Sequence, residues 1–195
     1  DMYPAGFKTF VEVETLGKWL CGRSRPTHFR GVSTVCAKLF NIVRTDRAYF
    51  GQKDYQQAVI VRRMVRDLNI PVAVLLCPIV REESGLALSS RNSYLSDDQR
   101  AKAATLYKAL QAAKAKYDAG ERDPAVLIQT AGEVLSKVPE LDVEYIEIVD
   151  AEILEPVKSL HRTAVLAVAV HLDGIRLIDN VLLGELDWVC EAEGD

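Results

Sequence analysis

Phe50-Gly51-Gln52-Lys53-Asp54-Tyr55-Gln56-Gln57 is the run from which the rest of the chain can be placed. It follows the short apolar segment Ala48-Tyr49-Phe50, turns at a glycine and opens a stretch with helical periodicity. Strand, tight turn and helix N-terminus together form a geometry in which backbone amides and the helix dipole hold phosphate. Lys53 adds a mobile positive charge there. Two unit charges about 4 Å apart attract by roughly 4 kcal/mol at an effective dielectric of about 20. Lys53 and Gln57 are four residues apart, so a helix beginning at this point projects both from one face. Asp54-x-x-Gln57 is also the spacing of a capping box. The same two side chains can therefore close the helix start or hold a ribose hydroxyl and a polar substrate, and the residues alone leave both readings open.

Upstream, Val32, Val35, Cys36, Leu39, Phe40 and Val43 recur at three- and four-residue spacing and predict a helix beginning near Gly31 with that face buried. Downstream, Ala58, Val61, Val65 and Leu68 form the stripe of a second helix, with Arg62, Arg63, Arg66 and Asp67 on its polar side. Asn69 and Pro71 end it. Val72–Ile79 is then an unbroken apolar run, as expected of a strand covered on both faces. Helix, strand, helix, strand predicts a parallel, right-handed αβαβ unit. Ligands of such sheets lie beyond the carboxyl ends of the strands, where Gly51–Asp54 and Val80–Arg81 fall. The first thirty residues are turn-rich, with Thr9–Val13 a short strand by alternation.

The pattern changes after residue 80. Arg81-Glu82-Glu83-Ser84-Gly85 is a charged turn, followed by Leu86-Ala87-Leu88-Ser89-Ser90-Arg91-Asn92. Ser89, Ser90 and Arg91 offer two hydroxyls and a guanidinium fork, a phosphate-binding set on a mobile loop. A solvated turn ahead of a capped helix accounts for them equally well. Ser96 and Gln99 make a capping box for a helix running to about Gly120, and a second helix covers Pro124–Val138. Strand-like runs follow at Val143–Val149, Ala164–Leu172 and Arg176–Ile178, with Asp173-Gly174 as a hairpin turn. The expected fold class is α/β: a partial Rossmann-like parallel sheet over residues 1–80, then a small α+β domain over residues 81–195 that carries Ser89-Ser90-Arg91.

The 195 residues carry a net charge of -4, against a nucleic-acid-binding surface, which makes a domain basic. Arg23, Arg25 and Arg30 read as solvated charges. No apolar run approaches about 20 residues, so no membrane-spanning helix is expected. Asp1-Met2-Tyr3-Pro4 does not read as a signal peptide, and a cytoplasmic location is expected. The chain opens in loop-like sequence, as if from the middle of a longer polypeptide. Four cysteines without a CxxC spacing or neighbouring histidines predict no zinc site; Cys36 and Cys77, inside apolar runs, read as small core residues with reduced thiols. His28, His161 and His171 are scattered and suggest no Ser-His-Asp or Cys-His arrangement. No G-x-G-x-x-G follows a strand, which disfavours a dinucleotide-dependent dehydrogenase.

Taken in register, Arg25-Pro26-Thr27-His28-Phe29-Arg30-Gly31-Val32-Ser33-Thr34, the run Phe50–Gln57, and Gly85-Leu86-Ala87-Leu88-Ser89-Ser90-Arg91-Asn92 closely resemble the pantothenate synthetase (pantoate–β-alanine ligase) family. Arg176-Leu177-Ile178-Asp179-Asn180 resembles that family's C-terminal end. The resemblance implies an adenylating enzyme of the nucleotidyltransferase superfamily that joins pantoate to β-alanine through pantoyl adenylate, with ATP and Mg2+, as a homodimer. It implies that Gly51, Gln52, Lys53 and Asp54 contact ATP, the lysine at the phosphates and the aspartate toward the ribose. Val80 would lie by the adenine, Leu88, Ser89, Ser90 and Arg91 would form the phosphate loop, and Gln57 would bind pantoate. Lys53 and Arg91 are the implied catalytic pair, and no protein-held metal is expected. The family also has an upstream Met-Gly-x-Leu-His-x-Gly-His segment, whose histidines contact the ATP phosphates, and a substrate-binding glutamine; neither is in these residues. A C-terminal part that is inactive alone is therefore expected, with a truncated, non-catalytic relative that binds nucleotide or serves in assembly as the alternative.

Overall fold

A computed structural model describes residues 2–190. The chain forms two compact units: one runs to Pro78 and takes in the terminal segment from Trp188, the other spans Ile79–Asp187. The first contains α1 (Cys21–Ser24), α2 (His28–Val43), β1 (Arg47–Gly51), α3 (Tyr55–Asp67) and β2 (Ala73–Cys77). β1 and β2 pair in parallel, Arg47 opposite Ala73 through Gly51 opposite Cys77, so the expected parallel αβαβ order is formed. α3 buries Ala58, Val61 and Val65 as its periodicity predicts, together with Ile60 and Met64. Its end is a Schellman motif: Asn69 is left-handed at φ 50°, its amide donates to Arg66 O, and the Ile70 amide donates to Val65 O. Leu68, at the cap, is consequently exposed.

Four local expectations change in this unit. Thr9–Val13 forms no strand; the Val11 amide donates instead to Thr34 Oγ1 at 2.9 Å. α2 buries Phe29, Ser33, Thr34, Ala37 and Phe40, while Leu39 and Val43 are 41% and 65% exposed. On this small, partly polar face the Thr34 hydroxyl is satisfied twice, by Val11 and by donation to Arg30 O, while the Ser33 hydroxyl is buried without a hydrogen-bond partner. β2 buries Val74 and Leu76 but leaves Ala73 exposed, so one face is covered rather than two. Its edge is extended by the terminal segment, Leu76 donating to Trp188 O and Cys190 donating to Leu76 O. That pairing brings Cys190 Sγ to 3.8 Å from Cys77 Sγ. None of the four cysteines is in a disulfide and all are half-buried, so Cys36 and Cys77 sit at the margin of the core rather than inside it. Burial still pushes both thiols up, and Cys190 pushes Cys77 further.

The second unit contains α4 (Asp97–Ala103), α5 (Thr105–Asp118), α6 (Pro124–Leu135) and the strands β3 (Asp142–Asp150), β4 (Ala164–Leu172) and β5 (Ile175–Leu183). The strands form an antiparallel sheet in the order β3-β4-β5. Leu166, Val168, Val170 and Leu172 on one face of β4 join Leu106, Leu110, Leu127 and Leu135 from the helices in one core. The predicted capping box is present, with Gln99 N donating to Ser96 Oγ and Ser96 N to Gln99 Oε1. The single long helix expected beyond it is two helices. Ala104, at ψ -14°, tightens the chain toward 3₁₀ geometry between α4 and α5, its amide reaching both Arg100 O and Lys102 O. Asp173 and Gly174 both have positive φ, as the two-residue hairpin turn between β4 and β5 requires. β5 runs well past the predicted Arg176–Ile178, because its buried Asp179 and Asn180 break the apolar alternation without breaking the strand.

Candidate nucleotide-binding site

The predicted site residues fall into two groups, one in each unit. In the first, β1 ends at Gly51 and a 3₁₀ turn over Gln52–Asp54 leads into α3 at Tyr55. Lys53 therefore stands in the turn, and Gln57 in the first turn of α3, rather than both on one continuous helix. Gln52, Lys53 and Gln57 are half-buried; Gly51 and Asp54 are exposed. Asp54 makes no side-chain capping bond. Its φ of -95° and ψ of 50° lie outside the extended region an N-cap adopts, because the chain arrives through a 3₁₀ turn. The capping-box alternative is thus not formed.

The two adjacent glutamines at the start of α3, Gln56 and Gln57, have different work. Gln56, 5% exposed, donates from Nε2 to Leu16 O at 2.9 Å and Trp19 O at 2.8 Å, tying down the loop before α1. Tyr55 is buried beside Trp188. Gln57 is thereby left at the rim of the helix start. Since Asp54 caps nothing, Asp54→Ala is expected to change stability by no more than about 0.5 kcal/mol, against roughly 1 kcal/mol for a true capping aspartate. Urea unfolding of this chain measures it, and a full capping-sized loss would mean the carboxylate closes α3 after all.

In the second unit, residues 80–88 fold back on themselves. Leu88 N donates to Val80 O and Glu82 N to Leu86 O, both at 2.9 Å. Gly85, at φ 88° and with no room for a Cβ beside the Tyr107 ring, makes the reversal. This brings Val80 beside Leu88; both are exposed. Ser89 Oγ accepts from Arg91 N at 3.2 Å and so starts a 3₁₀ turn over Ser90–Tyr94. Ser90 and Arg91 are exposed, while Asn92 is 3% exposed and braces the turn from within. Its Nδ2 donates to Glu82 Oε1 at 2.8 Å and to Ala87 O at 3.2 Å. Sequence reasoning missed Asn92, whose only signal was its place at the end of the Ser-Ser-Arg motif.

The histidines lie elsewhere: His28 stacks edgewise on Phe29, His161 bonds Ser159 Oγ at 3.0 Å, and His171 is 3.9 Å from Glu144. Among the described residues no group of three or more His, Cys, Asp or Glu could hold a metal ion, and no helix is long and apolar enough to cross a membrane.

A parallel strand–turn–helix unit with a lysine at the turn, followed by an antiparallel α+β unit with a capped Ser-Ser-Arg turn, defines a two-part α/β protein of Rossmann-like type. The family model for pantoate-beta-alanine ligase matches residues 1–182, and the chain belongs to that family. It is 52% identical over 183 residues to the pantothenate synthetase of Moorella thermoacetica, covering 94% of this chain and 65% of the relative. The Thermotoga petrophila pantothenate synthetase is 53% identical over 184 residues, with 94% of this chain and 66% of the relative covered. The chain thus spans just under two thirds of the length of these curated relatives. The crystal structure of pantothenate synthetase from Thermus thermophilus superposes with a TM-score of 0.89 at 49% identity, over 93% of this chain and 66% of that one. The pantoate-beta-alanine ligase from Francisella tularensis, complexed with beta-gamma ATP and beta-alanine, superposes at 0.68 with 30% identity, over 94% and 61%.

Proposed function

We propose that this chain supplies the ATP and pantoate contacts of an ATP-dependent pantoate–β-alanine ligase. The carboxylate of pantoate attacks the α-phosphorus of ATP, forming pantoyl adenylate and releasing pyrophosphate. The amine of β-alanine then attacks the acyl carbon, AMP leaves, and pantothenate is formed with loss of the amine proton. Family membership is the observation that carries the reading; the relative complexed with beta-gamma ATP and beta-alanine supports the same ligands.

Lys53 is assigned to the phosphates and Asp54 to the ribose, with Gly51 and Gln52, just ahead of them in the chain, also assigned to ATP. Gln57 is assigned to pantoate. Val80 is assigned to the adenine, and Leu88, Ser89, Ser90 and Arg91 to the phosphates. Residues 1–80 act as the C-terminal portion of the nucleotide-binding domain, and residues 81–195 as the domain carrying the phosphate turn. Negative charge grows on the α-phosphoryl oxygens as the carboxylate attacks, so fixed donors there stabilise the transition state more than the ground state. Mg2+ belongs to the substrate: it enters with the ATP phosphates, as is usual where substrate phosphates supply most of its ligands. The cytoplasmic homodimer implied by the family is part of the same reading.

The test is pyrophosphate exchange. Full-length protein given ATP, Mg2+, labelled pyrophosphate and pantoate, without β-alanine, is expected to move label into ATP; adding β-alanine should convert the pool to pantothenate and AMP. Exchange that proceeds equally well without pantoate, or no exchange at all, would overturn the assignment.

A further inference from the structure

Arg81 and Asp179 are separated by almost the whole second unit in sequence, yet they form a two-bond ion pair inside it. Arg81 donates to both carboxylate oxygens, at 2.7 and 3.0 Å, and the Asp179 side chain is only 3% exposed. The same guanidinium donates to Gly85 O at 3.0 Å and lies 3.8 Å over the Tyr107 ring. It is therefore fixed on β5, on α5 and on the reversal that leads to Ser89–Arg91. A second brace acts from α4: Arg100 donates to Glu82 Oε1 at 3.2 Å and to Asn92 O at 2.8 Å. Glu82 and Asn92 are in turn bonded to each other.

Nothing in this set is among the residues assigned to ATP, and in sequence the set brackets the phosphate turn: Arg81 and Glu82 precede it, and Asn92 closes it. An ion pair placed this far from water gains little net stability over apolar packing. What a bidentate fork does confer is one orientation, because two parallel bonds fix the planes of both groups. We propose that Arg81 and Asp179 are positioning residues that hold the Ser89-Ser90-Arg91 turn in its phosphate-binding form before nucleotide arrives. The role in catalysis rests on the ligase reading above; the mechanical role does not. Donors already in place when charge develops need no reorganisation at that moment, which is the condition for electrostatic stabilisation to work.

Arg81→Lys keeps the charge and loses the fork, which makes it a non-conservative change at such a site. In this chain, amide hydrogen exchange at Leu88, Asn92 and Leu95 is expected to speed up about tenfold or more, since a charge-assisted bond contributes roughly that factor to local closure. β4 amides should keep wild-type protection. Asp179→Asn should give the same local pattern. In full-length protein, Arg81→Lys is expected to lower kcat for pantoate-dependent pyrophosphate exchange about tenfold while leaving the KM for pantoate unchanged. Unchanged exchange at Leu88 and Asn92 would overturn the proposal, and so would protection lost equally from β4, which would make the pair merely structural. Loosening of the turn with no change in kcat would overturn the catalytic half. A wild-type protein silent in pyrophosphate exchange would instead overturn the ligase reading, and the amide measurements would still decide whether the pair holds the turn.

Discussion

Lys53→Ala in the full-length protein is expected to slow pantoyl adenylate formation about a hundredfold or more, the usual loss when one charge-stabilising donor is removed, or roughly 3–4 kcal/mol of transition-state stabilisation. The expectation starts from where the lysine stands. It is half-buried in the 3₁₀ turn between β1 and α3, at the carboxyl end of a parallel strand. In the proposed site this ammonium charge meets the ATP phosphates together with the turn's own amides. Truncation removes the charge and leaves the turn, whose backbone bonds do not use the side-chain stem. The effect should therefore fall mainly on kcat, with a smaller change in the affinity for ATP, and circular dichroism should match the wild type. Stopped-time measurement of adenylate or pyrophosphate separates these quantities. Near-normal turnover would remove Lys53 from the reaction; a loss confined to the KM for ATP would make it a ground-state binder.

Leu166→Ala is expected to cost the second unit about 2–5 kcal/mol, the range for buried leucine truncations that leave a cavity. Leu166 is 0% exposed and belongs to the face of β4 that meets Leu106, Leu110, Leu127 and Leu135. β4 is hydrogen-bonded to β3 on one side and β5 on the other, pairing Leu166 with Ile148 and with Val181. A strand held on both edges cannot move inward to fill the space, which places the substitution toward the costly end of the range. Urea unfolding of this chain followed by far-UV circular dichroism measures it. A loss under about 1 kcal/mol would mean that the core of this unit relaxes far more than its double-edged ladder suggests.

Much of the fold was legible because the signals were local. The α3 stripe of Ala58, Val61 and Val65, the Ser96–Gln99 capping box and the Asp173-Gly174 turn each depend on residues a few positions apart, and each is formed. α6 begins at Pro124 behind the capping carboxylate of Asp123, as a helix-start pattern predicts. Two departures arise where a side chain's partner is far along the chain. α2 shows an apolar stripe through Leu39 and Val43, but Thr34 meets Val11, 23 residues away, and that bond helps turn the other face inward. Asp179 and Asn180 look like the end of a strand until Arg81, 98 residues earlier, supplies a partner for the carboxylate.

The run Phe50–Gln57 shows the same division. Composition, spacing and motif were enough to identify a strand–turn–helix start with a lysine at the turn, and the order of the motifs was enough to indicate the family. Whether Asp54 and Gln57 close the helix could not be read from their spacing, because a capping box and a ligand-binding pair use the same two residue types. The backbone decides it: entry through a 3₁₀ turn puts Asp54 outside the extended conformation that capping needs. Likewise two adjacent glutamines are alike in sequence, and only the position of the Leu16 and Trp19 carbonyls makes Gln56 structural and leaves Gln57 at the rim. Periodicity reports which residues share a face, whereas a polar group's role is set by the partner that reaches it, and that partner is brought by the tertiary fold.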